Sequence, residues 1–200
     1  MKRLYLLLIL VLGISGCIVS KKKILDFPNT RQSYDYSCGP GAVQAVMAYY
    51  GLDFRESQLI DSLKTNENDG TLVGDILRFL HSQGFLTEVK EHMSKNDLFS
   101  YINKNIPVIT LIQAWGEESD FNRHYAESWD DGHFVVVIGY SAKNIICSDP
   151  SMFKTGFIPI PEFMERWHDY DEGETKTYHL GIAVYGKEPK YVRKDLQRIR

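Results

Sequence analysis

Four side chains in this sequence have the types and spacing of a nucleophilic acyl-transfer site. Cys38 opens the run Cys38-Gly39-Pro40-Gly41, with Gln32 upstream; about a hundred residues later come Gly132-His133 and then Asp149-Pro150. A thiol needs a base to take its proton, an imidazole supplies one, and a carboxylate on the far ring nitrogen fixes its tautomer and orientation. A glutamine amide beside the Cys38 backbone N–H would hold the oxyanion that forms when a carbonyl is attacked. Each residue also has a plain structural reading: a buried cysteine opening a core helix, a histidine capping a strand, an aspartate opening an Asp-Pro turn, a polar loop glutamine. Their joint occurrence favours the chemistry. It requires no metal and no cofactor.

The elements that must carry these residues are legible around them. Val43, Val46, Met47 and Tyr50 recur at helical spacing, with Ala42, Ala45 and Ala48 keeping the neighbouring face small, and Gly51 is a natural stop. Pro40 suits a first helical turn, where its missing N–H is not needed. Cys38 is therefore expected at the helix N-terminus, where unpaired N–H groups and the macrodipole favour an anion. The apolar, β-branched runs 133–140 and 144–149 read as two strands joined by a short turn, which brings His133 and Asp149 to one end of a sheet. A tight hairpin pairing Tyr140 with Ile145 leaves Asp149 out of line with His133, so an odd-length turn, a bulge or strong coiling is required.

With these motifs in place the chain resembles the papain-like cysteine peptidases of the bacteriocin-processing, double-glycine leader peptidase group. The resemblance rests on Gln32 followed by Cys38-Gly39-Pro40 and an apolar helix ending in Tyr50-Gly51, on Gly132-His133 before a valine-rich strand, and on Asp149-Pro150, and it spans roughly residues 30 to 185. It implies that Cys38 is the nucleophile, His133 the general base and acid, Asp149 the orienting group and Gln32 a side-chain oxyanion donor. The substrate would be a peptide or protein. Many members of that group are fused to a transporter and its ATPase, whereas this sequence has no Gly-rich phosphate loop. Cleavage after Gly-Gly is therefore not carried over. A thiol acyltransferase or transpeptidase would use the same residues, and a non-catalytic peptide- or envelope-binding domain would use the same fold.

The first residues indicate where this chemistry would happen. Lys2 and Arg3 precede the apolar run Leu4 to Leu12, followed by Gly13-Ile14-Ser15-Gly16-Cys17, the layout of a secretory signal, and the ending Ile14-Ser15-Gly16-Cys17 resembles a bacterial lipobox. That implies removal of residues 1–16 and lipidation of Cys17, with residues 17–29 as a tether. The expected location is the cell envelope, outside the cytoplasm, with a membrane partner reached only through the lipid anchor. The full chain carries a net charge of −3, and loss of Lys2 and Arg3 makes it about −5, which does not fit a nucleic-acid binder. Once Cys17 is lipidated, Cys38 and Cys147 remain, and Cys147 reads as a small core residue within a strand.

The rest of the chain fits one α+β domain, residues 30–186, expected as a monomer: an N-terminal helical lobe packed on an antiparallel sheet. Helices are predicted over 55–63, 71–83, 94–103 (opened by a capping box at Ser94 and Asp97) and 161–167, with strands over 85–89, 107–113 and 178–185. A segment at 114–131 rich in acidic residues and tryptophan reads as a surface loop, with a lid over the site as the alternative. Residues 187–200 read as a basic C-terminal tail, frayed or briefly helical from Lys190 to Arg200. The histidines at 124, 168 and 179 lack metal-ligand spacing.

Overall fold

A computed structural model describes residues 22–115, 125–173 and 175–193. The expected lipidation site, Cys17, lies outside these residues, as do the middle of the acidic segment and the end of the tail.

The elements follow one another as β1 (Lys23–Ile24), α1 (Cys38–Tyr49), α2 (Glu56–Ser62), α3 (Val73–Ser82), β2 (Leu86–Lys90), α4 (Lys95–Asn103), β3 (Val108–Gln113), β4 (Gly132–Tyr140), β5 (Asn144–Ser148), β6 (Gly156–Pro159), α5 (Ile160–Arg166), β7 (His168–Asp171), β8 (Thr175–Tyr178) and β9 (Gly181–Tyr185). Seven strands form one sheet in the order β2-β9-β3-β4-β5-β6, with β1 pairing on β4. Every pairing in it is antiparallel. The result is the expected α+β architecture, helices first and sheet mostly later.

Helix α1 is the axis of the fold. Ala42, Val43, Ala45, Val46, Met47 and Tyr49 are all buried, so the helix is wrapped nearly all round, and its small alanines let neighbours come close. Tyr49 and Tyr50 pin its C-terminal end, their hydroxyls donating to Asn105 O (2.9 Å) and Val184 O (2.6 Å). Strand β4 is buried at every residue from His133 to Tyr140. It lies in the sheet centre with both α1 and α4 against it, which explains its valine run: a strand covered on both faces needs no polar alternation. The capping box expected at α4 is present, Ser94 Oγ accepting from Asp97 N and the Asp97 carboxylate from Ser94 N.

Three regions differ from the sequence expectation. The strand predicted over 178–185 is broken at His179, which takes a positive φ of 50°. The part before the break pairs with β7 in a separate two-stranded sheet, and only β9 joins the main sheet. The polar alternation of this small hairpin gave no apolar signal. The end of the expected tether is part of the domain, since β1 pairs with β4 and Leu25 and Phe27 are buried. The start of the tail is neither frayed nor helical as far as Arg193: the N–H groups of Lys190 and Tyr191 both donate to Tyr49 O, and Arg193 N donates to Asp26.

Candidate active site

Cys38 is the first residue of α1, and the chain before it is a tight polar turn. The helix has no side-chain cap and no acidic residue in its first turn, so the positive end of its dipole and the free N–H groups face the thiol undisturbed. Two glycines bring other elements against this turn. A Cβ at Gly39 would lie 2.5 Å from Thr71 Cβ, and one at Gly41 would lie 2.7 Å from Pro150 Cβ. The second contact matters most, because Pro150 follows Asp149: only a bare backbone at position 41 lets the carboxylate strand end sit against the thiol helix.

His133 enters from the centre of the sheet, opposite Ile112 on β3, and is 2% exposed. Its Nε2 lies 2.8 Å from Asp149 Oδ1. That contact depends on an irregularity. Tyr140 pairs with Ile145, but the register shifts between Val137 and Gly139, so Val136 faces Ser148. Continued by one residue, this pairing sets Asp149 opposite Val135, on the same face as His133; the unbulged register would set it opposite Val136, on the other face. The bulge required by the sequence argument is present at Ile138.

Burial lowers the basicity of the His133 ring, but hydrogen bonds with the Asp149 carboxylate and the Cys38 thiol more than offset it and raise its pKa to about 9. Because Nε2 faces Asp149, Nδ1 is the nitrogen left for Cys38. Burial also pushes the Asp149 carboxyl up, and the hydrogen bonds from His133 and Ser151 outweigh this and hold it below its ordinary value. Ser151 supplies two donors to Asp149 Oδ1, its N–H at 2.8 Å and its hydroxyl at 2.7 Å. The indole of Trp115 tilts over the His133 ring with centroids 5.0 Å apart and shields the pair from solvent.

Gln32 is tied to both halves of the site. Its N–H donates to Pro150 O at 2.8 Å, while its side-chain Nε2 donates to Tyr34 O at 2.8 Å and reaches Asp35 O at 3.3 Å. Its Oε1 is buried without a hydrogen-bond partner among the described residues. The amide is thus anchored to the turn that leads into Cys38. Cys147 is buried, burial drives its thiol pKa far up, and it forms no disulfide with Cys38.

Ser151, Trp115, Ser37 and Glu56 are site neighbours whose positions the sequence did not assign. Ser151 had a readable signal, as the second residue after an Asp in an Asp-Pro turn. Glu56 had none, because its contacts cross from another helix. Two clefts meet at the site and share the wall Ser33-Tyr34-Asp35. One, of about 480 Å³, is bounded by Arg31, Gln32, Trp115 and Ser151. The other, of about 900 Å³, runs past Gly132 and is lined by Asp35, Glu67, Asp69, Asp130 and Asp169 among others. The acidic segment is half accounted for: Trp115 covers His133, and Trp129 packs on His168 and Tyr170 at 4.5 and 5.0 Å. His168 bonds to Ser128 O and His179 to Met164 O, and among the described residues no cluster of side chains is suited to hold a metal ion.

A family model described as Peptidase_C39 like family matches residues 24–174. The chain belongs to that family. An uncharacterized protein of Methanothermobacter marburgensis is 28% identical over 128 residues, which cover 61% of this chain and 70% of that protein. Among solved structures, the chain is similar to a C39-like peptidase from Bacillus anthracis (TM-score 0.63, 17% identity, 85% of this chain and 100% of that one). It is also similar to the peptidase domain of Streptococcus ComA, a bifunctional ABC transporter of a quorum-sensing pathway (TM-score 0.58, 22% identity, 82% and 98%). A third is a double-glycine motif protease from an AMS/PCAT transporter, solved with its leader peptide (TM-score 0.55, 18% identity, 84% and 95%). At these identities the structures establish a shared C39 peptidase-like fold. Family and fold together point to cysteine peptidase chemistry.

Proposed function

We propose that this protein is a cysteine peptidase that hydrolyses a peptide bond through Cys38, His133 and Asp149. The observation that carries this reading is that one buried imidazole interacts with the thiol and is bonded to the carboxylate, with its basicity raised by both. A buried histidine held charged beside a cysteine stabilises the thiolate. The thiolate attacks the substrate carbonyl carbon and forms a tetrahedral oxyanion, which on this proposal accepts hydrogen bonds from the Cys38 N–H and from the Gln32 amide, released for this from Asp35 O. Nδ1 of His133 then protonates the leaving amine as the acyl-enzyme forms. The neutral ring next takes a proton from water, hydroxide adds to the acyl carbon, and collapse releases the acid and the thiolate. Asp149 stays ionised throughout and keeps the ring aimed. A peptide substrate agrees with the leader peptide bound by the double-glycine protease of similar fold.

The chain acts, on this proposal, at the outer side of a membrane, held by lipid on Cys17. Labelling cells with a radioactive fatty acid checks it: label on the wild type and none on Cys17→Ala is expected, and equal labelling of both rules it out.

The catalytic proposal is tested by alkylating the soluble domain, begun after Cys17, across pH and assigning the modified cysteine by mass spectrometry. Cys38 is expected to react much faster than Cys147 in the folded protein, and His133→Ala to remove that excess reactivity. Peptide-library digestion by the wild type but not Cys38→Ala completes the test. A folded, reduced wild type with no excess reactivity at Cys38 overturns the proposal.

A further inference from the structure

A serine just before a helix commonly closes its N-terminus, the hydroxyl accepting a hydrogen bond from an N–H in the first turn. Ser37 is in that position before Cys38 and does not do this. Its hydroxyl, fully buried, instead accepts from Tyr34 N at 3.1 Å and lies, as donor, 2.7 Å from Glu56 Oε1 and 2.9 Å from Tyr34 O. The same Oε1 accepts from Ser33 N at 2.8 Å, and Oε2 accepts from the Ser33 hydroxyl. One carboxylate, reaching from the first turn of α2, therefore grips both ends of the turn Ser33–Ser37. That turn carries the two carbonyls, of Tyr34 and Asp35, to which Gln32 Nε2 is bonded.

We propose that Glu56 is a positioning residue for the oxyanion-binding groups, a role that rests on the peptidase reading above. By holding Ser33 and Ser37 together it fixes the loop against which the Gln32 amide is set. Glu56 touches neither substrate nor thiol, so its removal should disturb the oxyanion step and leave the thiolate–imidazolium pair alone.

The test compares peptide hydrolysis with Cys38 alkylation in Glu56→Ala, Ser37→Ala and the double variant. Alkylation by iodoacetamide forms no oxyanion and reads the thiolate alone. The expected result for Glu56→Ala is a fall in kcat of about 10²-fold, the cost of misplacing a catalytic group by about 1 Å, with KM and the pH profile of alkylation unchanged. Glu56→Gln, which keeps one acceptor for Ser33 N, should recover part of the loss. The double variant should lose less than the product of the single losses, because both act through one turn. Unchanged kcat in a folded Glu56→Ala overturns the proposal, as does a parallel fall in hydrolysis and alkylation. If the wild type itself neither cleaves peptides nor alkylates rapidly, the peptidase reading has failed, and the clamp is read by amide hydrogen exchange over residues 33–39. Faster exchange in Glu56→Ala then supports the clamp, and equal exchange overturns it.

Discussion

The two halves of the candidate site are built on opposite strategies. The thiol half is held by what is missing: no Cβ at Gly39 or Gly41, so that Thr71 and Pro150 can touch the backbone, and no cap or acid in the first turn of α1. The imidazole half is held by what is present: a bulge that corrects the face of Asp149, a buried ion pair, two donors from Ser151 and an indole lid. The contrast follows from the chemistry. A thiolate is stabilised by backbone dipoles and needs space, whereas a histidine that changes charge during each turnover needs a fixed partner in a dry setting.

The comparison can be broken first at the imidazole half. Asp149→Asn removes the carboxylate that raises the basicity of His133 and leaves burial, which lowers it. The alkaline limb of kcat/KM, expected near pH 9 in the wild type as His133 loses its proton, should move to lower pH. Activity at its optimum should fall about 10⁴-fold, as for a comparable orienting aspartate. A pH–rate profile with an unmoved limb would show that Asp149 does not govern the ring.

At the thiol half, Gln32→Ala is expected to cost about 10²- to 10³-fold in kcat, the loss of one oxyanion donor, with unaltered alkylation of Cys38. Steady-state kinetics beside an alkylation time course separates these effects. Where the halves meet, Gly41→Ala drives a methyl into Pro150 and should destabilise the fold by about 1–3 kcal/mol, measured as a lower urea midpoint. An unchanged midpoint would mean that the contact between Gly41 and Pro150 is slack. The smallest effect belongs to Ser151→Ala, which deletes one of the two donors that Ser151 gives to Asp149 while keeping the backbone one. About 1 kcal/mol, roughly fivefold in kcat, is expected; a loss as large as that of Asp149→Asn would give the hydroxyl a more direct role.

The same contrast explains what could be read from the sequence. The thiol half is local: Gln32, Cys38, the glycines and the helix that follows lie within one stretch, so a motif and a 3.6-residue period suffice to place them. The hairpin carrying His133 and Asp149 was equally legible, and its parity argument even demanded an irregularity. The bulge at Ile138 itself is not legible in the chain, because no residue type there marks it. Contacts that bridge elements left no trace in the chain. Glu56 with Ser33 and Ser37, and Trp115 over His133, each join positions whose separation carries no periodic signal. The β7–β8 hairpin was hidden for another reason: its polar strands, which carry Tyr170 and Tyr178 against Trp129, lack an apolar run.

The placement of Cys147 has a practical consequence. It is sealed in the sheet with its thiol strongly biased toward the neutral form, while Cys38 is partly open. The chain has three cysteines, so a soluble form starting after Cys17 contains one accessible sulfur and one silent one. Under native conditions a single equivalent of thiol reagent then counts folded molecules, and denaturation exposes the second equivalent as an internal standard for total protein. The fold thus supplies its own titration of native protein, and a dye or spin label can be set at the mouth of α1 without any engineered substitution.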